Sequence, residues 1–138
     1  SAAQAGFGQA ILIDCHSMPR EALDGTFRAG QKRPEIIIGD RFGASASSYI
    51  VDCIQDILTQ AGFTVSRNMP FAGAYITQHY GRPSQRQHAV QLEIDRSLYM
   101  DEATLRPHAG FAQLCDQLDP VVAKLADLGR ACDRLAAE

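Results

Sequence analysis

The chain has no CxxC pair. Its four cysteines, Cys15, Cys53, Cys115 and Cys132, stand far apart. That spacing is unsuited to a thiolate zinc site, and the reading it supports is free, buried thiols in a reducing cytoplasm. A basic excess is missing too. With 13 Lys and Arg against 16 Asp and Glu, the clustered positive surface of a nucleic-acid binder is not expected. No apolar run approaches a membrane span. The opening, Ser1 to Gly6, has no basic region and no long apolar core, so it does not read as a signal peptide. The first residue is Ser rather than Met, as in a chain that has been processed, tagged or cut from something longer. Internal repeats are absent, and nothing marks a second domain.

What is present is 138 residues with a 46% hydrophobic share, enough for one domain with a real core over residues 1–138 and too apolar for a disordered chain. The run Ile11-Leu12-Ile13 reads as a strand buried on both faces, stopped by Pro19. Between them lie Asp14, Cys15, His16 and Ser17. Ligands gather at the carboxyl ends of strands in open α/β sheets, so this is where chemistry is expected. Asp14 and His16 are two apart and share a face of an extended chain, where a carboxylate can fix an imidazole's tautomer. A strand end capped by polar residues reads equally well on this segment alone.

Arg20 to Lys32 is a long polar loop containing Gly25 and Gly30. Ile36 to Ile38 read as a second buried strand, with Gly39 to Gly43 a strand-to-helix loop at a sheet edge. Apolar residues at helical spacing predict a helix over Ser45 to Ala61, capped by Ser45 or Ser47 and ended by Gly62. A strand over Phe63 to Ser66 completes a strand-helix-strand unit. Residues 67–83 are rich in Gly, Pro, aromatics, Arg and His, the composition of a binding loop. In His88 to Asp95 the alternation places Val90, Leu92 and Ile94 on one face and Gln91, Glu93 and Asp95 on the other. From Thr104 onward an apolar stripe predicts helix packing on the sheet, with Asp119-Pro120 capping and restarting it.

Five segments then stand in a familiar order: Asp14-Cys15-His16-Ser17-Met18-Pro19, Ile38-Gly39-Asp40-Arg41-Phe42-Gly43, Arg67-Asn68-Met69-Pro70-Phe71-Ala72-Gly73, Tyr75-Ile76-Thr77-Gln78-His79-Tyr80-Gly81-Arg82-Pro83 and Gln91-Leu92-Glu93-Ile94-Asp95-Arg96-Ser97-Leu98-Tyr99-Met100. From Ile11 to about Glu102 the chain resembles the N-formylglutamate amidohydrolases. The resemblance implies an α/β fold like that of zinc carboxypeptidases, a mixed twisted sheet flanked by helices, with its N-terminal part missing. Family members carry a further half-domain upstream, with two zinc ligands and a later Asn-Arg motif. The family pattern also tends to two adjacent glycines where this chain has Gly73-Ala74.

The resemblance implies a zinc-dependent hydrolase that releases formate from N-formyl-glutamate or a similar N-acyl amino acid. His16 is implied as the third zinc ligand, the others coming from residues upstream of this chain. Standing alone it would be an ordinary core or surface histidine. Glu93 falls where the family keeps its general base, taking a proton from zinc-bound water and passing one to the leaving amine; otherwise it is a solvent-facing strand acid. A substrate with two carboxylates needs cations, and Arg67, Arg82 and Arg41 lie in the matching loops. Asn68 and Tyr75 could hydrogen-bond the same groups, and His79 could polarise the carbonyl or orient a carboxylate. Arg96 reads as a surface partner of Asp95 or Asp101. Two other classes remain open: a non-catalytic or truncated domain of the same fold, and an amidase acting on peptides or peptidoglycan. The expected partners are a small molecule, the missing half or a second copy, since a strand left exposed by a missing half-sheet invites association.

Overall fold

The computed structural model of the chain describes residues 2–27 and 30–135, without the side chains of residues 2, 7 and 130–135. A mixed four-stranded sheet carries the site. Its strands are β1 (Ala10–Met18), β2 (Ile36–Gly39), β3 (Val65–Arg67) and β4 (Gln87–Asp95), in the order β1-β4-β2-β3. β1 runs parallel to β4, β2 parallel to β3, and β2 antiparallel to β4. Helices flank the sheet, as expected: α1 (Ala2–Phe7), α2 (Ser48–Gln60), α3 (Tyr75–Tyr80) and α4 (Gly110–Leu135).

The three isoleucines of β2 explain its central place. β-Branched side chains suit a pleated strand covered on both faces, and all four β2 residues are buried. Ile36 and Ile38 join the larger core with Val90, Leu92 and the inner face of α2, Ile50, Ile54 and Leu58. Ile37 points the other way, against Met18 and Leu23. Burying each such side chain contributes about 1.5–3 kcal/mol, so the core alone holds the middle of the sheet.

β1 departs from expectation. Ile11 to Ile13 are not covered on both faces. β1 is an edge strand whose neighbour among the described residues is β4, and Leu12 is 41% exposed. Ile11 and Ile13 pack on the core side; Leu12, one residue out of phase, faces the sparsely covered side. The loop after it is partly ordered into a 3-10 turn, Arg20–Leu23, whose Leu23 is fully buried.

α2 begins at Ser48, with Ser47 as N-cap residue, but neither serine caps through its side chain: Ser47 makes no such bond, and Ser45 Oγ donates to the Ala89 carbonyl at 2.8 Å. Gly62 follows with φ +95°, the left-handed end the sequence predicts. The strand after it starts at Val65 rather than Phe63, which is core. The tail differs more. Residues 100–107 form a small two-stranded ladder, β5 (Met100–Asp101) with β6 (Arg106–Pro107), and α4 starts only at Gly110. Pro120 lies inside α4 and does not restart it. Proline forfeits one backbone hydrogen bond, but Leu114, Val121 and Leu128 stay buried on one stripe across it, and that packing carries the helix through. The thiols also differ from expectation: Cys15 and Cys115 are exposed and Cys53 partly so, all three free. The Cys132 side chain lies outside the described residues.

Candidate active site

The β1–β4 ladder sets His16 directly beside Glu93, and Asp14 beside Gln91. Partners in a parallel ladder project to the same face at the same height. The four side chains therefore form one polar square on the face opposite α2. His16 Nε2 pairs with Asp14 Oδ2 at 2.9 Å, the orienting contact that their spacing predicts. Gln91 Nε2 donates to Glu93 Oε1 at 2.6 Å, and Gln91 Oε1 accepts from the Ala74 amide at 3.0 Å.

Glu93 is 8% exposed and is not the solvent-facing acid of the alternative reading. Burial pushes its carboxyl pKa up, while His16, the Gln91 hydrogen bond and Arg96 pull it back and Asp14 adds to the rise. A carboxylate so placed is a better proton acceptor than a solvated one. On the other face, desolvation beside the sheet, and then Asp14, raise the thiol pKa of Cys15.

The loop above the square is pressed onto the sheet. Gly39, paired with Gln91 in the β2–β4 ladder, has no side chain, and the backbone of Ala72 and Gly73 lies directly over it. The Arg41 amide donates to the Ala72 carbonyl at 2.7 Å. α3 then starts, and its Ile76 and Tyr80 line a cavity of about 530 Å³ with Leu12 and Asp14. Tyr75 stacks on His79 at 5.1 Å between ring centres, and His79 meets Tyr80 edge-on at 4.7 Å. Arg41 and Arg82 gather at the end of α3: Arg41 Nη1 reaches Gln78 Oε1 at 3.4 Å, and Arg82 Nη1 donates to the Gln78 carbonyl at 3.0 Å. A second cavity, about 550 Å³, lies between His16, Arg96 and α4.

Two predicted residues sit elsewhere. Arg67 is paired with Ile38 in the β2–β3 ladder and extends to Asp52 and Gln55 of α2, with Nη2 2.8 Å from Asp52 Oδ1. That is the opposite face from Glu93. Asn68, buried and left-handed at φ +58°, is committed to the Asp40 turn. Its Oδ1 accepts from the Asp40 amide at 3.0 Å, and its Nδ2 donates to Asp40 Oδ1 at 2.6 Å.

Arg96 is corrected as well. Asp95 is fully buried and taken by Arg20, so Arg96 turns instead to Ser17, donating to its hydroxyl at 3.2 Å and its carbonyl at 3.1 Å. It thereby ties the ends of β1 and β4 together beside Glu93. Gln91 is a site residue that its type alone does not mark. Its signal is an amide on the Glu93 face of a strand that is otherwise buried.

Among the described residues, no group of three or more His, Cys, Asp or Glu side chains could hold a metal ion. A catalytic zinc takes three protein ligands. His16, oriented by Asp14, fits one such position, and the described residues do not complete the set.

The N-formylglutamate amidohydrolase family model matches residues 1–100. N-formylglutamate deformylase of Pseudomonas aeruginosa is 34% identical over 125 residues, 90% of this chain and 45% of that protein. N-formylglutamate deformylase of Pseudomonas putida is 38% identical over 97 residues, 70% of this chain and 35% of that protein. The crystal structure of N-formylglutamate amidohydrolase from Ralstonia eutropha JMP134 superposes with a TM-score of 0.80 at 32% identity, over 96% of this chain and 47% of that one. The chain thus spans less than half the length of these relatives. With the match over most of its sequence and the shared sheet, the chain belongs to the N-formylglutamate amidohydrolase family.

Proposed function

We propose that the chain supplies the general base and one metal-ligating imidazole of a hydrolase that cleaves the amide of N-formyl-glutamate or a similar N-acyl amino acid. The observation that carries this reading is the pairing of His16 with Glu93 at one height of one sheet face. A buried carboxylate of raised pKa takes a proton from water, and the same group then returns it to the leaving amine. His16 would hold a zinc ion together with donors from outside the described residues, and such an ion lowers the pKa of bound water. Arg41 and Arg82, at the end of α3, are the cations proposed to meet the substrate carboxylates. Tyr75 and His79 offer a stacked polar surface beside them. Arg67 and Asn68 enter this reading as supports of the loops, not as substrate contacts.

The test is turnover of N-formyl-glutamate by Glu93→Gln and His16→Ala. Each should lose about 10²–10⁴-fold in kcat with an unchanged circular dichroism spectrum. Full activity in either variant defeats the reading.

A second reading rests on the incomplete donor set: this chain by itself keeps the fold and binds no functional metal. Metal analysis of this chain beside a longer one that carries the remaining donors separates the two: zinc held by the longer chain supports the first reading, zinc held by neither supports the second, and stoichiometric zinc in the short chain alone contradicts the second.

A further inference from the structure

Gln91 is 5% exposed, and both ends of its carboxamide are used. The Nε2 end donates to Glu93 Oε1 at 2.6 Å, and the Oε1 end accepts from the Ala74 amide at 3.0 Å. Glutamine carries a donor and an acceptor at the two ends of one planar amide without charge. Its place in the ladder explains why such a group is needed. Asp14 flanks it on one strand and Gly39 on the other. Gly39 lets the Ala72–Gly73 backbone settle on the sheet, which brings the Ala74 amide within reach. Ala74 is anchored a second time, because Thr77 Oγ1 donates to its carbonyl at 2.8 Å. The start of α3 is thereby fixed to the same carboxamide that holds the carboxylate of Glu93.

We propose that Gln91 is a positioning residue: it orients the Glu93 carboxylate through one end of its amide while fixing the start of α3, with Tyr75 and His79, through the other. This rests on the reading of Glu93 as the base. With Oε1 occupied by the Gln91 donor, Oε2 is the oxygen that takes the proton. A base that rotates freely spends less time aligned with its water, and misplacement by about 1 Å costs on the order of 10²-fold. The competing account is that Gln91 only satisfies the Ala74 amide.

Two substitutions separate the accounts. Gln91→Met keeps the volume and loses both bonds. Gln91→Glu keeps an acceptor for Ala74 but sets a second buried carboxyl against Glu93, where the two share one proton and the base is no longer free to take another. Kinetics on N-formyl-glutamate should show kcat lowered at least about ten-fold in both, with KM within about three-fold. Exchange of the Ala74 amide should accelerate in Gln91→Met and stay near wild type in Gln91→Glu. Wild-type kcat in either variant overturns the proposal. The Glu93 ¹³Cδ chemical shift supplies an arm independent of turnover. It should move in both variants, and an unmoved shift also overturns the proposal. Should the protein that carries this chain together with the remaining donors hydrolyse no N-acyl amino acid, the amidase reading fails while this spectroscopic arm still judges the hydrogen bond.

Discussion

Replacing Gly39 with Ala tests whether the loop over the site is held by contact with the sheet. A Cβ there would stand 2.6 Å from the Gly73 nitrogen, 2.7 Å from the Ala72 carbonyl carbon and 3.1 Å from its oxygen. All three are backbone atoms, so no side chain can swing aside. Overpacking of this kind costs about 1–3 kcal/mol. Lifting the loop also breaks the Arg41 amide bond to Ala72 and the Ala74 amide bond to Gln91, about 0.5–1.5 kcal/mol each. Alanine recovers about 0.5–1 kcal/mol of backbone entropy relative to glycine. The net expectation is a loss of about 1–5.5 kcal/mol, or roughly 3–20 °C in Tm for a chain of this size. Urea unfolding at constant m-value is the assay, with Gly6→Ala as its partner. An added Cβ at Gly6 meets nothing within 4 Å, and in helix α1 the change should stabilise by about 0.5–1 kcal/mol. If Gly39→Ala unfolds within about 0.5 kcal/mol of the unsubstituted chain, the loop is not seated as described and the reasoning is refuted.

Other outcomes follow from the same structure. His88 Nδ1 accepts from the Ser47 amide at 3.2 Å, and burial, then Arg86, lowers its pKa below the ordinary 6.5. The unfolded chain therefore binds this proton more tightly, so stability should fall as pH drops below about 6.5, and His88→Gln should flatten that slope in pH-dependent urea melts. Arg20→Ala leaves the fully buried Asp95 carboxylate with the Ser97 amide, its other hydrogen-bond donor. A loss of about 1–3 kcal/mol is expected by the same unfolding assay, discounted because Arg20 is itself partly exposed. Arg67→Ala should cost at most about 1 kcal/mol and leave kcat within about three-fold, since its partners are the exposed Asp52 and Gln55 of α2. A large kcat loss there would restore it to the substrate site. Light scattering of the isolated chain should show self-association rising with concentration, because among the described residues β1 has no strand on its outer edge; a monodisperse monomer would count against it.

Much of the sheet was readable from local pattern. The alternation in His88 to Asp95 assigned both faces of β4, because strand period depends on the pleat alone. The Asp14–His16 contact followed from the same rule. What could not be read was set by distant partners. Whether Ile11 to Ile13 lie inside or at the edge depends on which strands are beside them, not on those residues. Arg67 and Asn68 looked like ligand groups by type, but pairing with Ile38 sends Arg67 to α2, and the Asp40 turn claims Asn68. Pro120 was read from propensity, and tertiary burial of the stripe around it prevailed. The role of Gln91 needed the loop brought onto Gly39, a contact between residues 34 positions apart.

Among the described residues, the strand that bears His16 is the outermost rung of its sheet. Any strand that zips onto that free flank would run about 4.8 Å away, and the residue it sets level with His16 would arrive on the same side of the pleat. On the proposed reading of His16 as a metal ligand, donors borne by such a strand would complete the centre at the height marked by His16 and Glu93. Shifting that strand by a single residue would turn its donors to the wrong side, so catalysis in the assembled protein would be governed by strand alignment as much as by side-chain chemistry.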